Sequence, residues 1–268
     1  MNKERKNTVL NRIIIPSLVI GLLVIGHCSF ASAKEYDGIW FMGMNLKHEL
    51  FKDPAVRQAV NSAIDKEHIV TEIMSEETVP IGFIPPGMLG YDPDLEPVYY
   101  DLKHAKLLMK KAGYPITDKR LKDLSLLHTD GIKTVAIAEK IQNDLKNIGM
   151  KVKLVEVSFQ NEEKWIEELV SGKHDFFLMG YKAGIEQLFT EEATAVQIDS
   201  FSLVEPLFRS DGDANFTGYS NPRVDKLLEQ IEGLNIALKS ERHAKLKEIN
   251  QILYKDLPAV VLFYIEKL

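Results

Sequence analysis

At 268 residues, with 45% hydrophobic and 27% charged side chains, the chain has the make-up of a folded globular protein and not of a disordered one. Its formal net charge of −6 argues against a phosphate-backbone partner, so nucleic-acid binding is set aside. One cysteine in the whole chain excludes a disulfide framework.

The first thirty-three residues differ in character from the rest. Lys3, Arg5, Lys6 and Arg12 precede an apolar run from Ile13 to Gly26, and Ala31-Ser32-Ala33 follows, which predicts a secretory signal peptide over 1–33 with cleavage after Ala33. A membrane anchor fits less well, because this run at helical rise reaches only about 21 Å against a hydrocarbon core of about 30 Å. Cys28 is preceded by His27, where a lipidated cysteine wants a small residue, which argues against a lipoprotein. Without this segment, which carries four basic side chains and one acidic one, the charge becomes about −9.

A short strand, "IWFMGMNL", opens the remainder. In "KDPAVRQAVNSAID" Asp53 is placed as a helix N-cap and Pro54 at the first helical position, with Val56, Ala59, Val60 and Ala63 at helical spacing. Asp65 caps a second short helix with Ile69, Val70, Ile73 and Met74. Residues 80–97, "PIGFIPPGMLGYDPDLEP", hold five prolines and three glycines and predict a stiff, fixed surface loop. Asp101 then starts a helix with Ala105, Leu108, Met109 and Ala112 on one stripe, ending at Gly113.

The middle alternates strand and helix: "DLSLLHT", a helix over 131–148, "KVKLVEV", "NEEKWIEELVSG" and "DFFLMG". Short connections between them predict a parallel βαβαβ unit. The first helix is expected to turn Val135, Ala138, Ile141, Leu145 and Ile148 inward; the second is capped by Asn161 and stopped by Gly172. From Tyr181 to Phe216 the periodicity is poor, which predicts a long loop with a helical turn or two. Two helices follow, opened by Asn221-Pro222 and by Ser240, before a buried-type strand, "PAVVLFYI".

Catalytic chemistry finds little support. No cysteine follows residue 28, no G-x-S-x-G is present, and the seven histidines are scattered without metal-ligand spacing. Gly172-Lys173 lacks the upstream glycine and the hydroxyl residue of a phosphate loop, and the adjacent glutamates at 76–77, 162–163, 167–168 and 191–192 read as solvated faces. No enzyme, cofactor or metal is expected. Aromatics and amides at element ends remain: Asn45, Trp165, Tyr181, Asn215, Phe216 and Tyr219. Small-molecule sites in open α/β sheets lie beyond the carboxyl ends of strands, and Tyr181 directly follows one, although an aromatic there also serves as core.

The segments "DPAVRQAVNSAID", "PPGMLGYDPDL", "AKLLMKKAGYP", "VAIAEKIQNDLKNIGMKVKL", "GKHDFFLMGY", "NFTGYSNPRVDKLL" and "DLPAVVLFY", in this order, resemble the family 5 extracellular solute-binding proteins. These are the oligopeptide- and dipeptide-binding components of ABC importers. The resemblance implies a type II periplasmic-binding-protein-like lobe, α/β, with a mixed, partly parallel sheet flanked by helices, spanning 34–268. It further implies a periplasmic, non-enzymatic protein that binds peptides or similar small solutes and hands them to an ABC permease at the inner membrane. In the family an Ala-Asp-Tyr motif follows the aromatic, and its aspartate pairs with the α-ammonium of a peptide. Here Tyr181 keeps the aromatic, whereas Gly184 and Ile185 stand at the aspartate and tyrosine positions and Lys182 adds a positive charge. An acidic or uncharged ligand therefore fits at least as well as a free amine. Tyr181, Lys182, Trp165, Asn45 and Asn215 are the expected ligand-facing residues.

Family members carry a first lobe ahead of the segment that follows the signal here, so the resemblance implies a domain without its first lobe and allows a separate chain to supply it. The alternative is a one-lobed sensory or protein-interaction module, marked by an exposed apolar patch on the cleft side.

Overall fold

A computed structural model describes residues 34–76, 78–184 and 199–267. The predicted signal peptide with Cys28, Glu77, and residues 185–198 with Ile185, Glu191 and Glu192 lie outside the described residues.

Five strands and nine helices follow one another among the described residues. Strand β1 (Tyr36–Met44) leads into the single turn α1 (Glu49–Lys52) and then α2 (Pro54–Ala63). Asp53 caps α2 by accepting from the Ala55 amide at 2.8 Å, and Pro54 occupies the first turn, as the sequence predicts. Asp65 caps α3 (Lys66–His68), which runs into a π-helical turn at Ile69–Met74. Helix α4 (Leu102–Lys111) is capped by Asp101 through the His104 amide.

The parallel unit consists of β2 (Leu124–Thr129), α5 (Ile132–Lys146), β3 (Val152–Val157), α6 (Glu162–Val170) and β4 (Phe176–Lys182). Helix α7 (Phe201–Phe208) supplies the two helical turns expected after Tyr181. Helices α8 (Pro222–Glu232) and α9 (Lys239–Asp256) and strand β5 (Ala259–Glu266) complete the chain.

The sheet order is β3-β2-β4-β1-β5, with β2 parallel to β3 and β4, and β1 antiparallel to β4 and β5. This is the expected mixed sheet. Alternation along β1 feeds two cores: Met42 and Met44 point into one with α2, α4 and α5, and Ile39 and Phe41 into the other with α6 to α9. A bulge on β5 pairs Trp40 with Phe263 and Phe41 with Val261, so Leu262 is the extra residue and both Leu262 and Phe263 reach the first core.

Two glycines let aromatics lie across the β1–β4 seam. A β-carbon on Gly43 would fall 2.1 Å from the Phe177 ring, and one on Gly180 would fall 2.3 Å from the Trp40 ring. Each glycine faces that same aromatic across the ladder.

Two helix details depart from expectation. The buried face of α5 is Thr134, Ile137, Ala138, Ile141, Asp144 and Leu145, with Val135 only half-buried, because the helix starts at Ile132 and its polar Thr134 turns inward. Ser240 does not cap α9. The helix begins a residue earlier, after a turn in which Asn235 bonds the Ala237 and Leu238 amides.

The proline-glycine loop 80–97 is fastened to α9 and β5. Asn250, 1% exposed, accepts from the Phe83 and Ile84 amides at 2.9 and 3.3 Å. The Tyr264 hydroxyl accepts from the Ile81 and Gly82 amides, and His243 accepts from the Gly90 amide. Asp92 bonds Lys247, Gln251 and the Asp94 amide; burial favours its neutral form, but these three partners together outweigh that and hold the carboxyl below its usual range. A loop without regular hydrogen bonds of its own thus has its buried amides satisfied by side chains.

Beneath the loop, Lys66 is 4% exposed and donates to Asn61 Oδ1 at 2.7 Å, beside a cavity of about 20 Å³ also lined by Gly82, Phe83 and Tyr254. Burial lowers its pKa to about 7.

Asn250→Ala removes the acceptor of two buried amides and is expected to lower the unfolding free energy by about 2–4 kcal/mol in urea titration, with Asn250→Asp recovering most of it. For Lys66, folding disfavours the charged form, so the penalty is complete below pH 7 and is relieved as pH rises from about 7 towards the unfolded value of 10.5. Lys66→Met should therefore stabilise the protein by about 1–3 kcal/mol at pH 6 and lose that advantage by pH 10.

Candidate functional site

The parallel strands offer a crevice at their carboxyl ends. Strand β2 stays paired with β3 to its last residue, Thr129 opposite Val157, but is paired with β4 only at Leu126–Phe176 and Leu127–Phe177. Strand β4 continues along β1 for five more residues, to Lys182 opposite Gly38. The sheet therefore splits between the ends of β2 and β4. Helices α5 and α6 lie on opposite faces of the sheet, so this split coincides with the point where the winding reverses, the usual ligand position in open α/β sheets.

One wall carries His128, Thr129 and Asp130. His128 is 2% exposed, with Nδ1 3.0 Å from its neighbour's carbonyl, Thr129 O. Asp130 accepts from the Phe159 amide at 2.8 Å, and this bond, with one from the Ser158 hydroxyl, lowers its pKa. Beside it stand two large apolar side chains in solvent, Ile132 at 91% and Phe159 at 75% exposure.

The other wall carries Tyr181 and Lys182. Lys182 Nζ lies 3.1 Å from Asp37 Oδ2 and donates to the Glu266 carbonyl at 3.4 Å, which ties the ends of β4, β1 and β5 together. Asp37 Oδ1 and Trp40 Nε1 are buried and have no hydrogen-bond partner among the described residues; Trp40 packs against the first core, on the sheet face away from Tyr181. After Ala183, whose amide donates to the Asp37 carbonyl at 2.7 Å, the chain turns at Gly184 with φ +72. That left-handed backbone gives glycine a conformational reason to occupy the position where the resembling family has aspartate.

Tyr181 and Lys182 are thus together at the carboxyl edge. Tyr181 is 9% exposed and belongs to the second core, against which the half-buried Trp165 of α6 also packs. Asn45 and Asn215 are elsewhere. Asn45 follows the β1 residue that faces the start of β4, and its amide donates to the Gly172 and His174 carbonyls at 2.8 and 3.2 Å. Asn215 donates to the Arg209 and Tyr219 carbonyls and accepts from Thr217 and the Tyr219 amide. The Leu46 amide bonds the Thr217 carbonyl, so both asparagines brace the amino end of β4, opposite the crevice. Asp37, Trp40, Asp130 and Phe159 were not singled out by sequence; only the β1–β4 register and the β2–β3 ladder bring them to the edge.

Among the adjacent glutamates, Glu76 is ion-paired with Lys34. Glu168 is paired with Lys173 and with His174, both at 2.7 Å, and these partners lower its pKa. Tyr219, buried and bonded to Asp256 at 2.6 Å, has its pKa raised, so its hydroxyl stays neutral.

The model for bacterial extracellular solute-binding proteins, family 5, matches residues 21–187. The oligopeptide-binding protein AppA of Bacillus subtilis is 29% identical over 245 residues, covering 84% of this chain and 41% of its own. The glutathione-binding protein GsiB of Salmonella typhimurium is 27% identical over 237 residues, covering 85% and 42%. Among solved structures, the periplasmic binding protein DppA of Helicobacter pylori in complex with the peptide STSA superposes with a TM-score of 0.72 at 24% identity, over 87% of this chain and 43% of that one. The chain spans about two fifths of the length of the curated relatives it matches.

Proposed function

Because the chain belongs to the family 5 extracellular solute-binding proteins, whose fold it has, we propose that it binds peptides or similar small solutes for an ABC importer and performs no catalysis. Its ligand would lie at the carboxyl edge of β2 and β4, with Tyr181 and Lys182 as the first contacts and Trp165 packed behind Tyr181 on the second-core face. The observation that carries this reading is the split between β2 and β4, which opens the sheet at its winding reversal. Asn45 and Asn215 would then act on the ligand site only by bracing the far end of the lobe. In this role the protein would be exported by a signal peptide over 1–33, work in the periplasm as one lobe over 34–268, and pass its ligand to a permease at the inner membrane.

The edge has a cation, Lys182, held by Asp37, and a glycine at position 184, so a bound peptide would be recognised without an aspartate at that position for its α-ammonium. Ile132 and Phe159, exposed on the same edge, favour a second reading in which this face docks a protein partner.

Isothermal titration against di- to tetrapeptides and glutathione tests the first reading. Binding is expected, with N-acetylated peptides within about threefold of their free-amine forms and Lys182→Gln weakening acidic peptides by about tenfold. Folded protein that takes up none of these ligands, or that loses binding when the amine is acetylated, contradicts it. Crosslinking in the periplasm that captures a protein through Phe159 would favour the second reading.

A further inference from the structure

A second cavity lies at the opposite edge of the sheet, where α5 ends and β3 begins. Its volume is about 420 Å³, within the range of small-molecule sites. Three lysines line it, Lys122, Lys146 and Lys151, with the amides Gln142 and Asn143, and no carboxylate does.

The walls are fixed by their own hydrogen bonds. Gly149 turns the chain between α5 and β3 with φ +93, and a β-carbon there would lie 2.6 Å from the Ile116 carbonyl oxygen, so the Ile116 loop rests directly on it. Lys122 Nζ clamps the two loops by donating to the carbonyls of Ile116 at 3.1 Å and of Gly149 at 3.0 Å. Gln142 is held by donating to the Val152 carbonyl at 2.8 Å. Buried Met150 and Val152 line the cavity together with Ile116, a side chain left 49% exposed.

Lys146 and Lys151 are exposed and have no ion-pair partner among the described residues. Nearby Asp144 is turned away, bonded to Lys140 at 2.7 Å and to the Asp65 amide. Two unpaired ammonium groups and a third held rigidly, around an apolar floor, form a cationic cavity on a chain of net charge −6. Anions are repelled by most of such a surface and are drawn to a concavity lined by lysines and by no acid.

We propose that this cavity binds small organic anions carrying two or more phosphate or carboxylate groups, with Lys146 and Lys151 as charge partners and Lys122 as the clamp that shapes the wall. The site is separate from the carboxyl-edge crevice and does not depend on its function.

Pyrophosphate and citrate, titrated separately by calorimetry at low ionic strength, test it; which of the two binds tighter identifies the preferred group. Saturable binding is expected, weakened at least about tenfold in Lys146→Gln/Lys151→Gln. The control is Lys110→Gln/Lys111→Gln, which removes two exposed lysines from the last turn of α4, where they do not line the cavity, and it should leave binding unchanged. Absence of binding by both anions overturns the proposal. So does binding that survives the cavity variant, or that falls equally in the control, since diffuse surface charge would then be the cause.

Discussion

Strand β1 holds the molecule together. It pairs on one side with β4 and on the other with β5, the latter more than two hundred residues away in sequence. Closing so long a connection is entropically unfavourable, and it is offset by burial on both faces of one strand. Met42 and Met44 enter one core, Ile39 and Phe41 the other, and the Gly43–Phe177 and Trp40–Gly180 pairs bring the backbones of β1 and β4 under aromatic rings. Because β1 rather than β2 supports the last five residues of β4, the parallel part of the sheet is free to split. The same strand brings Asp37 against Lys182, so the crevice and its charge pair share one cause.

Local chemistry made much of this fold legible. Asp53, Asp65, Asp101, Asn161 and Asn221 each announce a helix start and each accepts the expected backbone amide. The βαβαβ unit follows from elements whose ends are so specified. What escaped reading depends on distant partners. The antiparallel pairing of β1 with β4 and β5 leaves no mark in either segment, and the β5 bulge is visible only in the register. A polar Thr134 on the buried face of α5 shifts the apparent stripe towards Val135.

Where the candidate site residues fall was only partly legible, for a related reason. Tyr181 and Lys182 sit at a strand end, which sequence position alone suggests. An asparagine at an element end looks alike whether it faces a ligand or bonds carbonyls, and Asn45 and Asn215 do the latter. Asp37, by contrast, lies near the start of the described chain with no motif around it, and matters only because Gly38 faces Lys182 across the ladder. The result is a sheet with two unlike edges: one with an open split, exposed apolar side chains and a single charge pair, the other with a cationic cavity.

The central claim is that peptide recognition belongs to the carboxyl edge. Amide hydrogen exchange with and without a saturating peptide tests it most directly. The account predicts slowed exchange in residues 128–131 and 178–184, with 45–47 and 215–217 unchanged. Protection concentrated around Asn45 and Asn215, with the carboxyl edge unaffected, would contradict it.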